Sequence, residues 1–112
     1  MPPEEINLEN SKAQMRKGTL EFCILLIISR GEVYASDILN ELKKADLLVV
    51  EGTLYPLLSR LKTLGVLKYT WKESESGPPR KYYQLTEKGT DMLGQLKSTW
   101  KDLYTSINSL TK

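Results

Sequence analysis

The stretch VVEGTLYPLLSRLKTLG, Val49 to Gly65, decides how the rest of the chain is read. At about 100° per residue it gathers Leu54, Leu57, Leu58, Leu61 and Leu64 on one side of a helix. Gly52, Pro56, Ser59, Arg60 and Thr63 gather on the other, with Tyr55 and Lys62 on one flank and Thr53 on the opposite flank. One face is a leucine strip that needs a core; the other is small, polar and basic. The helix is expected to open at Gly52-Thr53, which puts Pro56 where its missing N–H is one of the unpaired first-turn donors. Small residues near a helix N-terminus let backbone N–H groups approach phosphates or base edges, and Tyr55, Ser59 and Arg60 can hydrogen-bond to them. Any amphipathic helix also has a polar outer face. This segment alone therefore does not separate a nucleic-acid reader from a plain surface helix.

Its neighbours narrow the choice. Upstream, a helix is expected from about Leu8 or Ser11 to Ser29, closed by Arg30-Gly31, and its second half is apolar on nearly every side, as in a helix sandwiched between others. A short second helix opens at Ala35-Ser36-Asp37, with Ser36 expected as N-cap, Lys43-Lys44 in the last turn, and Ile38, Leu39 and Leu42 on the buried side. Downstream of Gly65 the period changes. Val66 to Trp71 and Lys81 to Leu85 alternate in the manner of strands, and KESESGPPR between them makes a long tip, because Gly77-Pro78-Pro79 should not continue a ladder. Lys72, Arg80 and Lys81 cluster on this hairpin, either as phosphate contacts or as solvated loop charges.

Thr86 should cap a last helix, along which Leu93, Leu96, Trp100, Leu103, Ile107 and Leu110 follow at spacings of 3, 4, 3, 4 and 3. That is a heptad seam. With the neighbouring helices short and already engaged, a second copy of the chain is its expected partner, giving a homodimer. The fold expected is mainly α with a small β-hairpin: a winged helix-turn-helix plus a long C-terminal dimerisation helix.

Composition removes several function classes. The chain has 112 residues, enough for one domain with a modest core. It has no histidine and one cysteine, so the commonest general base and metal ligand are absent and no internal disulfide can form. Cys23, within FCILLII, is expected to be a small buried hydrophobe. No catalytic constellation and no Gly-rich phosphate loop can be assembled, so neither an enzyme nor a cofactor is expected. The longest apolar run, Phe22 to Ile28, is far shorter than the roughly 20 residues a membrane span needs, and the acidic N-terminus lacks the order of a secretory signal. A cytoplasmic protein without a membrane partner is expected. Net charge is only +2, but it is uneven: residues 1–10 carry three acids and no base, whereas residues 11–81 carry twelve bases and eight acids. A case for nucleic acid must rest on where those bases sit.

Together, GEVYASDILNELK (31–43), EGTLYPLLSRLKTLGVL (51–67) and GPPRKYYQLTEKG (77–89) resemble the PadR family of bacterial transcriptional regulators, over about residues 11 to 110. The resemblance implies an acidic extension over 1–10, a DNA-binding winged domain over 11–85 and a dimerisation helix over 86–112, as in the small subfamily with a single terminal helix. It implies double-stranded DNA as partner and a repressor acting as a homodimer on a pseudo-palindromic operator. It puts Tyr34 and Ser36 at the second-helix end of the DNA surface, Gly52, Thr53, Tyr55, Pro56 and Ser59 in the major groove, and Arg80 and Lys81 in the wing. Trp100, fourteen residues after Thr86, has two readings: a packed seam residue, or a platform facing its symmetry mate on which a small planar aromatic effector stacks. The unbroken heptad around it favours packing. The rival to DNA binding is a winged domain or heptad helix that binds another protein, which the modest charge would suit.

Overall fold

The computed structural model describes residues 7–75 and 77–112, so residues 1–6 of the expected acidic extension, and Ser76 at the hairpin tip, lie outside the described residues. Four helices and two strands follow in the order α1 (Leu8–Ile28), α2 (Ala35–Lys44), α3 (Glu51–Thr63), β1 (Leu67–Ser74), β2 (Gly77–Leu85) and α4 (Glu87–Ser109). This is the winged helix-turn-helix with a long terminal helix that the sequence predicts.

Asn7 starts α1 by accepting the Asn10 N–H at 3.0 Å on its side-chain oxygen. Because the second half of α1 is apolar all round, it runs through the middle of the fold and packs on α2, β2 and α4. Ile24 and Leu25 of α1, Ile38 of α2, and Leu54 and Leu61 of α3 have no exposed surface, and Leu58 has almost none. Each such side chain contributes about 1.5–3 kcal/mol relative to exposure. Leu57 is half-buried, but Leu64, expected on the same strip, is 43% exposed, because it is the C-cap residue where the strip leaves the core.

Three boundaries differ from the sequence expectation. Ser36 is not the cap of α2. Tyr34 is, because the Asp37 carboxylate accepts the Tyr34 N–H at 3.1 Å while the Tyr34 carbonyl accepts from Asp37 and Ile38, so the helix begins upstream of the serine. Helix α3 begins at Glu51, after Val50, which moves Pro56 into the second turn; its ring removes the N–H that would have paired with the Gly52 carbonyl. Finally, the ladder continues through the prolines. Lys72 pairs with Arg80 and Ser74 with Gly77, so Pro78 and Pro79 together oppose Glu73 as a bulge, where a missing N–H costs the ladder nothing.

β1 and β2 pair antiparallel, and β2 is joined on its other side by Val33, whose N–H and carbonyl bond the Tyr83 carbonyl and N–H at 3.3 and 2.7 Å. This bridge fixes the hairpin against the start of α2. Helix α3 ends on Gly65 at φ +80°, with the Val66 N–H reaching back to the Leu61 carbonyl at 3.1 Å. The start of α4 then locks onto that ending. Thr86 accepts the Gly89 N–H at 3.0 Å and donates its own hydroxyl to the Gly65 carbonyl at 2.6 Å, the Thr86 N–H bonds the Val66 carbonyl at 3.1 Å, and Lys88 Nζ donates to the Leu64 carbonyl at 2.8 Å. Gly89 is buried in this joint, and a Cβ there would stand 2.1 Å from the Val66 carbonyl oxygen.

Two substitutions in α4 should therefore have opposite signs. Gly89→Ala should destabilise the protein by about 1–3 kcal/mol, since backbone must move to make room. Gly94→Ala, where a Cβ meets nothing within 4 Å, should stabilise by up to about 1 kcal/mol. Urea unfolding of the two variants measures both; equal midpoints would show that the joint is looser than described.

Candidate nucleic-acid interface

Three elements converge on one side of the molecule. The N-terminus of α2 brings Tyr34 and Ser36, the outer face of α3 brings Tyr55 and Ser59, and the hairpin brings Trp71, Pro79, Arg80 and Lys81. They border an open groove of about 450 Å³ with Ala35 and Tyr83 at its base. Tyr83 is nearly buried, and burial, with Tyr55 and Tyr69 nearby, holds its phenol above the usual tyrosine range, so it stays a neutral packing group.

The hairpin cations are held on aromatic rings. The Arg80 guanidinium lies 4.7 Å from the centre of the Tyr34 ring, which itself meets Tyr82 edge-on at 5.3 Å. The Lys81 ammonium lies 4.6 Å from Tyr69 and 5.4 Å from Trp71, the residue directly across the ladder from it. Lys72 sits 5.2 Å from Tyr82 and is also paired with Glu32. On the α3 side, Lys62 covers Tyr69 at 5.2 Å.

The other residues singled out in the sequence fall outside the groove. Gly52, Thr53 and Pro56 are exposed on the first two turns of α3. Thr53 borders a separate cleft of about 400 Å³ between α1 and the α2–α3 connection, lined also by Arg16, Lys17, Leu47 and Cys23. Cys23 is half-buried rather than buried, and desolvation pushes its thiol up. Arg60 turns away toward α1, where its guanidinium pairs with Glu21 at 2.9 Å. Sequence reasoning missed Trp71 and Pro79 as groove residues and Tyr69 and Tyr82 as cation supports. Alternation alone placed Tyr69 and Trp71 on one face of β1. The expected strand ends, Trp71 and Lys81, are a pair the ladder makes, but alternation does not predict their meeting as ring and cation.

The C-terminal seam behaves differently along its length. Leu93 is buried and Leu96 half-buried against the core, while Trp100, Leu103, Ile107 and Leu110 are 46%, 48%, 57% and 82% exposed. Trp100 lies 6.4 Å from Phe22 of α1 and 6.5 Å from Tyr104 between ring centres. Among the described residues no cluster of His, Cys, Asp or Glu could hold a metal ion, and no helix is long and apolar enough to cross a membrane.

Comparison with known proteins agrees with this geometry. Residues 24–95 match the family model described as the transcriptional regulator PadR-like family. A PadR-like transcription factor from Bacteroides fragilis is 56% identical, with a TM-score of 0.76 over 90% of this chain and 98% of that one. A PadR-like regulator from Bacillus cereus is 43% identical, with a TM-score of 0.80 over 88% of this chain and 97% of that one. A PadR family regulator from Eggerthella lenta, at 28% identity, superposes with a TM-score of 0.85 over 94% and 92% of the two chains. The chain belongs to the PadR-like family of transcriptional regulators, and its winged helix-turn-helix is that of a DNA-binding regulator.

Proposed function

We propose that this protein is a sequence-specific repressor that binds a pseudo-palindromic operator as a homodimer. The observation that carries this reading is the shared groove: hydrogen-bonding side chains of α2 and α3 and the cations of the hairpin open onto the same space. In this reading α3 enters the major groove with Gly52, Thr53, Tyr55, Pro56 and Ser59, while Arg60 must first give up its pairing with Glu21 to join them; Tyr34 and Ser36 meet the adjacent backbone, and Arg80 and Lys81 hold flanking phosphates. Gly52 supports it from another side. It is exposed, its φ is not positive, and a Cβ there would meet nothing within 4 Å, so no packing within the chain demands a glycine. A bare backbone at that place suits close approach by a base edge.

Lys81→Ala should weaken binding to every duplex alike and flatten the dependence of affinity on salt, by roughly one phosphate's worth of slope. Ser59→Ala and Tyr55→Phe should instead alter the preference among sequences, by about 1–3 kcal/mol at the contacted base pair. Gel shifts with DNA from around the protein's own gene, titrated with salt, measure both. Equal binding by wild type and the Arg80→Ala/Lys81→Ala pair at moderate salt would remove the wing from this reading, whereas no salt-dependent binding to any duplex would instead fit a winged domain that recognises protein.

The unit of 86–112 is the proposed dimerisation arm, supported by the run of exposed apolar residues from Trp100 to Leu110 on a long, well-capped helix. Leu103→Lys would place a charge twice at the centre of that seam, costing several kcal/mol. Sedimentation at micromolar concentration should show monomer or unfolded chain; a folded dimer would refute the seam. Within the dimer we assign Trp100 to packing, since apolar seam positions continue on both sides of it. In a Trp71→Phe background the remaining indole emission should be blue-shifted and unmoved by planar cationic dyes. Saturable quenching at one dye per dimer, absent in Trp100→Ala, would make Trp100 the platform for an aromatic effector that releases DNA.

A further inference from the structure

We propose that Trp71 is a positioning residue for the wing: its indole, with the Tyr69 ring, holds the Lys81 ammonium over the groove before DNA arrives. The inference deepens the DNA-binding reading and rests on it. Trp71 is 61% exposed and lies outside the hydrophobic core, so burial does not account for a large aromatic at this place on a hairpin. What it does meet is specific. It stands directly across the ladder from Lys81, its ring is 5.4 Å from that ammonium, and it meets Tyr69 edge-on at 6.2 Å, so the two rings form a corner around Lys81, with Lys62 approaching Tyr69 as well. Trp71 and Lys81 both border the groove that carries Tyr55 and Ser59.

The physical consequence concerns ordering. A lysine on an exposed hairpin loses most of its side-chain freedom when it meets a phosphate, and that loss offsets the attraction. A cation already resting on two ring faces has lost part of that freedom in the free protein, and the rings do not neutralise it as a carboxylate would. The contrast with Lys72 is visible on the same hairpin. Lys72 rests on Tyr82 but is also paired with Glu32, so to meet a phosphate it must give up an ion pair. Among the described residues Lys81 is held without a counter-charge, as Arg80 is on Tyr34, and it alone of the two rests on a pair of rings from β1.

Two measurements test this, and the first needs no DNA. In the free protein, proton NMR should show the side-chain methylenes of Lys81 shifted upfield by the ring currents, relative to Lys43 at the end of α2. The shift should shrink in Trp71→Leu and largely return in Trp71→Phe. Lys81 methylenes at the Lys43 position in the wild type would overturn the proposal. The second measurement is a double-mutant cycle, read by fluorescence anisotropy on a mixed-sequence duplex at low salt. Trp71→Leu should weaken binding roughly two- to fivefold in the wild-type background and have no further effect in Lys81→Ala. Thermal melts of the same variants report whether each is folded. Losses that multiply would mean that Trp71 acts independently of Lys81, and the proposal would fail while DNA binding stood. Failure of the wild type to bind the duplex at all would sink the DNA reading, and the positioning role with it.

Discussion

The joint between the end of α3 and the start of α4 governs what the rest of this protein can do. Within a few residues, the unpaired carbonyls that close α3 are taken up by Thr86 and Lys88, and the cap of α4 is set by the same threonine. Each helix terminus thus satisfies the other's open valences, and Gly89 lets the two backbones touch. The helix that faces the groove and the helix that carries the exposed seam cannot rotate independently without breaking several hydrogen bonds at once. In the proposed dimer, the separation of two reading helices would follow from how two copies of α4 cross, with little slack between.

The groove depends on a second constraint, the Val33 bridge to Tyr83, which pins the hairpin beside α2. Packing of Leu67, Tyr83 and Leu85 in and against the core holds the base of the hairpin, and the bridge adds backbone hydrogen bonds that a two-stranded ribbon alone lacks. Pinned there, the hairpin brings Arg80 against Tyr34 and turns its inner face toward α3. The wing is an ordered wall of the groove because its cations rest on rings belonging to three different elements.

Most of the architecture was legible in the sequence because it rests on periodicity. The leucine strip of α3, the apolar second half of α1, the alternating strands and the threonine cap of α4 are local patterns with one physical solution each. The errors share a cause as well. Ser36 lost the cap of α2 to Tyr34 because a carboxylate three residues on could reach back to the backbone N–H, a contact that a list of cap preferences ranks low. Pro56 proved tolerable in a second turn because α3 is held by three buried leucines rather than by its own hydrogen bonds. Pro78-Pro79 did not end the strand because a bulge absorbs a missing donor. At the candidate site, Tyr34, Ser36, Tyr55, Ser59, Arg80 and Lys81 were legible from a family resemblance, whereas Trp71, Pro79 and the pairing of each cation with a ring were not. Those pairs join residues apart in the chain, brought together by the register of the hairpin and by its bridge to Val33.

Among the described residues, the strand β1 pairs with β2 on one side and with no other strand along its outer edge. An open edge of backbone donors and acceptors invites another molecule's strand to add to it. Here that edge carries Lys68, Lys72 and Glu73, and the bulge at Pro78-Pro79 bends the hairpin near its tip. Charge and curvature together make sheet-to-sheet stacking of two copies unfavourable. The hairpin edge is thus guarded against strand addition, whereas the exposed apolar face of α4 carries no such guard.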